Sequence, residues 1–150
     1  MRIQIYTNFT RLLSLKMTLT EAAIINAISD VQSLDLFKAI AHTNADSDIL
    51  TKKAKLTRKQ YYSRMSRMTK VGLIQRKSGK YFLTSLGKVT YQAQTMIENA
   101  LTDYWKLKAV DSLDSSTKMG LPRDERDKIL NTLIDNQKIR QILLVNNNNG

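Results

Sequence analysis

The run from Thr57 to Gly87 constrains the fold more than any other part of the chain. Thr57-Arg-Lys-Gln60 fits a capping box, with threonine at the N-cap and glutamine three residues on. It opens a helix over Arg58 to Val71, in which Tyr61, Met65 and Met68 recur at steps of four and three and form a narrow apolar stripe. Gly72 stands where a helix stops on a left-handed residue. Leu73 to Lys77 and Lys80 to Thr84 then read as two short strands, and the intervening Ser78-Gly79 marks a tight hairpin. In that register Ile74 faces Leu83 and Lys77 faces Lys80. Thr84 or Ser85 caps the next helix at once. Helix, hairpin and helix follow with no spare residues, so the expected class is mainly α with a small β-hairpin.

The flanking sequence adds helices rather than strands. Residues 1–17 show no clear period, and translation starting at Met1 or at Met17 suits the sequence equally well. Thr20 to Ile28 reads as a short helix or as the lead-in to the next. Val31 to His42 reads as a helix with Leu34, Phe37, Ile40 and Ala41 on its apolar face. Asn44 to Ser47 is a turn, with Asp46 or Ser47 capping a brief helix over Asp48 to Ala54 that buries Ile49 and Leu50. From Ser85 a helix is expected almost unbroken to about Val110, with Leu86, Val89, Ala93, Met96, Ala100, Tyr104 and Leu107 as its seam. Residues 111–120 read as a polar linker. Pro122 opens a last helix with Ile129, Leu130, Leu133 and Ile134 inward, broken at Asp135-Asn136 before Ile139, Ile142 and Leu143. The expected organisation is an extension over 1–28, a core over 29–84, a helical part over 85–145 and a flexible tail over 146–150. Hydrophobic residues make up 42% of the 150, enough for a real core.

Charge adds a functional constraint. Lys52, Lys53, Lys55, Arg58, Lys59, Arg64, Arg67, Lys70, Arg76, Lys77 and Lys80 crowd one window that contains no acid, and elsewhere the two signs nearly cancel. This window accounts for the whole net charge of +11. A field concentrated in this way attracts a polyanion, whereas a merely solubilising surface mixes its signs. The chain has no cysteine and His42 is its one histidine, so neither a thiolate metal site nor a metal sensor is expected, and no cofactor is implied. No nucleophile–base pair, phosphate-binding loop or spaced histidine partner appears, and the expectation is a protein without enzymatic activity. No run of 18 apolar residues exists and the N-terminal stretch lacks a secretory core, which points to the cytoplasm and away from the membrane.

The stretch Leu56 to Ile74 resembles the recognition-helix signature of ArsR/MarR-type winged-helix regulators. In those families a polar run leads to two apolar residues three apart, then a small residue, Gly, Leu, and Ile or Val. Met65, Met68, Val71, Gly72, Leu73 and Ile74 fill these places, with Val71 where alanine is commoner. Lys77 to Gly87 is similar to the wing and to the Leu-Thr-x-x-Gly that leads into the next helix. The resemblance spans about residues 30–110 and is nearest to archaeal transcription regulators with an added C-terminal helical part. It implies a winged helix-turn-helix that binds double-stranded DNA sequence-specifically, with helix 58–71 in the major groove and wing 73–84 on the backbone. By the same resemblance and helical geometry, base readout falls to Arg58, Lys59, Gln60, Tyr62 and Ser63. Lys52, Lys53, Lys55, Thr57, Arg64, Arg67, Arg76, Lys77 and Lys80 become backbone contacts. The absence of a Cys/His cluster sets aside the metal-sensing branch. A homodimer is expected from the length of the helix after the hairpin and from the further apolar surface of the C-terminal helix. The alternatives are a winged helix used for protein–protein interaction and a non-specific nucleic-acid-binding protein. Among individual side chains, Tyr61 reads as core, Tyr104 and Trp105 as packing or a dimer seam, and His42 as a helix-terminal polar group.

Overall fold

In a computed structural model that describes residues 19–43, 50–52, 55–116 and 121–145, seven labelled helices and one hairpin succeed one another. They are α1 (Glu21–Ala27), α2 (Val31–His42), α3 (Arg58–Lys70), β1 (Ile74–Lys77), β2 (Lys80–Leu83), α4 (Ser85–Thr102), α5 (Tyr104–Ser116), α6 (Arg123–Leu133) and α7 (Gln137–Val145). The architecture is mainly helical with a two-stranded antiparallel sheet, as expected. The start-site alternatives, the turn at Asn44 to Ser47, Ile49, Lys53, Ala54 and the tail all lie outside the described residues. Contacts divide the chain into two compact units that meet in sequence within α4, between Tyr91 and Gln92.

The first unit is built by side-chain caps. Thr20 Oγ1 accepts from the Ala23 amide at 3.1 Å and starts α1. Asp30 starts α2 by accepting from the Ser33 amide at 2.9 Å and from the Ser33 hydroxyl at 2.6 Å. That second bond lets Ser33 be fully buried, since its hydroxyl is satisfied inside. The inward face of α2 is therefore Ser33, Leu36, Phe37 and Ile40, while Leu34 and Ala41 are half-buried. The sequence expectation was about one position off in rotation because it gave a serine no place in the core. Phe37 and Ile40 pack with Ala27, Leu50, Leu56 and the stripe Tyr61, Met65 and Met68 of α3, closed by Leu73, Ile74 and Tyr81 of the hairpin segment.

Residues 50–52 are helical, and Lys55 has a left-handed backbone with a φ of 51°. The Lys55 amide donates to Lys52 O at 3.3 Å and the Leu56 amide to Thr51 O at 3.4 Å, the paired bonds of a Schellman stop. The same motif ends α3. Gly72 at φ 75° donates to Thr69 O and Leu73 to Met68 O, both at 3.0 Å. A lysine therefore occupies the kind of position that glycine fills one helix later.

The hairpin has the expected register, Ile74 opposite Leu83 and Lys77 opposite Lys80. Ser78 and Gly79 both have positive φ, 51° and 80°, which matches the twist of a two-residue turn to that of its strands. Thr84 then binds both ends of the hairpin together. Its amide donates to Leu73 O at 3.1 Å, and its hydroxyl reaches the carbonyls of Gly72 and Leu73. The same oxygen accepts from the Gly87 amide at 3.0 Å, capping α4. Gly87 is buried here, and a Cβ on it would lie 2.0 Å from Leu73 O.

After Thr102 only Asp103 departs from α geometry, and the i to i−4 bonds Asp103 N to Asn99 O and Leu107 N to Asp103 O continue across it. The helix path thus extends past Val110 to Ser116, so residues 111–116 of the expected linker are helical, and its residues 117–120 lie outside the described residues. Ser112 donates its hydroxyl to Lys108 O and Ser115 to Ser112 O, so these serines fold back onto helical carbonyls instead of ending the helix. Leu113 is half-buried there. In the second unit Val110, Leu130, Ile134 and Ile139 form the core, flanked by Leu107, Leu133, Leu143 and Leu144. Asp124 and Glu125 occupy the first turn of α6. Its end before Asp135-Asn136 is as expected, because Asn136 Oδ1 accepts from the Lys138 and Ile139 amides and restarts the chain as α7. Lys106 bridges Asp135 at 2.7 Å and Asp103 at 3.3 Å. The hydrogen bond to Asp135 is the main reason its ammonium is held above the ordinary lysine range, and Asp135 is held below the ordinary aspartate range in turn.

Candidate nucleic-acid interface

The candidate surface begins with the cap of α3. Thr57 Oγ1 accepts from the Gln60 amide at 3.3 Å, and Gln60 Oε1 accepts from the Thr57 amide at 3.1 Å. The capping box read from the sequence is therefore formed, and it commits the Gln60 carbonyl oxygen while the side chain stays exposed. Tyr61, Met65 and Met68 are at most 1% exposed, and this fixes the rotation of α3. Arg58, Lys59, Tyr62, Ser63, Ser66, Arg67 and Lys70 are left on the exposed side. Tyr61 is core and Tyr62 is 57% exposed, with its ring edge-to-face on Tyr61 at 5.3 Å between centroids. The contact gives the exposed tyrosine a preferred orientation.

Lys52, Lys55, Arg76, Lys77 and Lys80 are exposed as well. Lys77 and Lys80 stand directly opposite each other at the end of the hairpin, an arrangement that costs stability unless an anion lies between them. Arg76 lies over the Tyr81 ring, 5.8 Å from its centroid. This cation–π contact keeps the guanidinium close to the strand while its edge faces water. Lys55 adds a left-handed backbone, which for a residue with a Cβ costs about 1–2 kcal/mol. Conformational strain at an exposed cation is a feature that stability alone does not favour.

Arg64 differs from its neighbours. Its side chain is 16% exposed and each of its guanidinium nitrogens makes one hydrogen bond. Nε donates to Asp30 Oδ1 at 3.2 Å, one terminal nitrogen to Gln32 Oε1 at 2.7 Å and the other to Gln60 O at 3.4 Å. Arg64, expected as a backbone contact, thus ties the start of α2 to the middle of α3. Arg67, 43% exposed, stands 3.8 Å from the other Asp30 oxygen. Burial opposes ionisation of Asp30, but the Ser33 hydroxyl and amide, then Arg64, outweigh it and hold the carboxyl below the ordinary aspartate value. Sequence reasoning missed Asp30 and Gln32. The pattern Asp30-x-x-Ser33 ahead of an apolar run was a legible cap, but nothing local linked it to an arginine 34 residues away.

Tyr104 and Trp105 form an edge-to-face pair at 5.2 Å and are 47% and 79% exposed, so neither is packed inside its own unit. His42 ends α2, and its Nε2 is 2.9 Å from the Tyr91 hydroxyl. Beside it, Asp35, Lys38, Ala39 and Leu50 line an open cleft of about 370 Å³. Among the described residues, no group of three or more His, Asp or Glu side chains is placed to hold a metal. No helix among them is long and apolar enough to cross a membrane. No protein family, curated protein or solved structure matches the chain.

Proposed function

We propose that this chain is a winged-helix transcription regulator that binds double-stranded DNA sequence-specifically, acting in the cytoplasm without enzymatic activity. The observation that carries the reading is the cationic surface running from α3 into the hairpin, along a stretch of chain that contains no acid. Its apolar side is wholly committed to the core, and its like-charged hairpin end wants an anion. In this reading α3 enters the major groove and the hairpin is the wing. Arg58, Lys59, Tyr62 and Ser63 face base edges, with the Gln60 amide nitrogen available beside them. An arginine reaching a guanine edge is worth about 1–3 kcal/mol of discrimination. Lys52, Lys55, Arg67, Arg76, Lys77 and Lys80 contact phosphates, which set position rather than sequence. Lys53 and Thr57 keep the same role in the proposal, while Arg64 orients α3 from behind.

The exposed side chains Ile97, Leu101, Tyr104 and Trp105 on α4 and α5 support a homodimer. Two reading helices would then address a pseudo-palindromic site with half-sites about one helical turn apart.

Binding to a random-sequence duplex, followed by fluorescence anisotropy across a salt series, tests the reading. The log–log slope is expected to be several units, at about −0.9 per phosphate neutralised. Replacing Arg76, Lys77 and Lys80 together by alanine should flatten it by about 2–3 units. A protein that binds no duplex at low salt is not a DNA reader, and a winged helix for protein–protein interaction then takes its place. Binding that shows no preference in a selection for preferred sites leaves a non-specific nucleic-acid-binding protein.

A further inference from the structure

One carboxylate serves two arginines of α3 in different ways. Asp30 Oδ1 is shared between the Ser33 amide and Arg64 Nε, both within hydrogen-bond distance, and each of the three Arg64 guanidinium nitrogens already donates one hydrogen bond. Asp30 Oδ2 accepts from the Ser33 hydroxyl and lies 3.8 Å from Arg67, which is beyond a hydrogen bond. Arg67 has no other ion-pair partner among the described residues. Its attraction to Asp30 is therefore a loose, water-exposed pairing of small strength. A phosphate oxygen at 2.7–2.9 Å would make a stronger, charge-assisted bond to the same guanidinium. The Asp30 charge opposes that exchange twice, by retaining Arg67 and by repelling the phosphate.

We propose that Asp30, set between Arg64 and Arg67, is an internal counter-ion that withholds Arg67 from DNA phosphate. Arg67 is released only where contacts made by the rest of α3 bring a phosphate within bonding distance. Asp30 is then a specificity-determining residue. It lowers affinity for duplexes that bring no phosphate up to Arg67, and a cognate site recovers that contact. The inference rests on the DNA-binding reading and adds a residue that bears the wrong sign for a phosphate contact.

Asp30→Asn separates charge from structure, because asparagine caps a helix as well as aspartate does and still accepts from Arg64. With a random-sequence duplex of about 30 base pairs, the variant is expected to bind on the order of tenfold more tightly at ~50 mM salt, with a slope steeper by about 0.9. Adding Arg67→Ala should return the slope to that of the wild type. Circular dichroism and the thermal midpoint of Asp30→Asn check that the fold is kept. Unchanged or weaker binding by the folded variant would overturn the proposal and leave Asp30 as a strut alone. A tighter variant whose slope does not respond to Arg67→Ala would overturn the role of Arg67. Failure of the wild type to bind any duplex would remove the DNA reading itself, a result distinct from either of these.

Discussion

Gly87 has no side chain, and the fold depends on that absence. Its Cα faces the Leu73 carbonyl so closely that a methyl group would sit 2.0 Å from the oxygen and 3.0 Å from the carbon. Both atoms are backbone, so no rotamer change relieves the clash. Gly87→Ala is expected to lose about 3 kcal/mol or more in urea denaturation, at or beyond the upper end of ordinary overpacking. Gly79→Ala is the comparison. Nothing lies within 4 Å of that position, and its φ of 80° alone should cost about 1–2 kcal/mol. Equal losses at the two sites would mean that the contact between α4 and Leu73 is not tight in solution. At this scale the sequence was readable wherever the cause was local. The capping box at Thr57 and the stop at Gly72 involve residues three or four apart, and both are present. Asp30 with Arg64 required knowledge of which helices meet, and the charge pattern gave no sign of that pair for this reason.

At the scale of elements, the hairpin trades stability for charge. Cross-strand neighbours of opposite sign contribute a few tenths to 1 kcal/mol, and like pairs cost a similar amount. Lys80→Glu, which would pair with Lys77, is expected to raise stability by roughly 0.5 kcal/mol in denaturant unfolding. The same substitution should flatten the salt dependence of duplex binding by more than one unit, since one cation is lost and an anion gained. A variant that gained stability and kept its slope would place the hairpin away from DNA. The elements themselves were largely visible in advance. Val31–His42 falls where periodicity put it, and α3 and both strands differ from expectation by a residue at their ends. Two departures have physical causes. The serine-rich end of α5 is helical, and the Ser112 hydroxyl bonds a carbonyl of the preceding turn instead of competing for a backbone amide. The seam expected along α4 was only partly right. Val89, Ala93 and Tyr104 are exposed, and the half-buried positions include Tyr91, Gln94 and Thr95. A hydrophobicity pattern gives no credit to polar side chains that turn inward.

For the whole molecule the open question is how many copies act together. Ile97, Leu101, Tyr104 and Trp105 present apolar surface to solvent on α4 and α5, with Leu101 at 68% exposure and Trp105 at 79%. A monomer gains nothing from this surface, whereas a two-fold partner would bury the same residues twice. Leu101→Asp is expected to convert a dimer to a monomer at tens of micromolar in sedimentation, with helix content unchanged. A wild-type chain that sediments as a monomer under those conditions would remove the dimer from the proposal. The sequence hinted at this surface through helix length and through Tyr104 and Trp105, and could go no further because a seam for a partner and a seam for the core share one periodicity.

The Thr84 tie gives the hairpin a mechanical character of its own. A two-stranded ribbon is marginal when left alone in water, yet here the chain leaves α3 at Gly72 and returns at Thr84 to the carbonyls it left. The segment between them is a ring closed by hydrogen bonds, built much as a disulfide loop is but without a covalent cross-link. Its far end can therefore fray and re-form while the closure holds. Such opening would stay local, leaving α3 seated and α4 capped. An appendage of this kind can adjust to an uneven surface without disturbing the helix beside it.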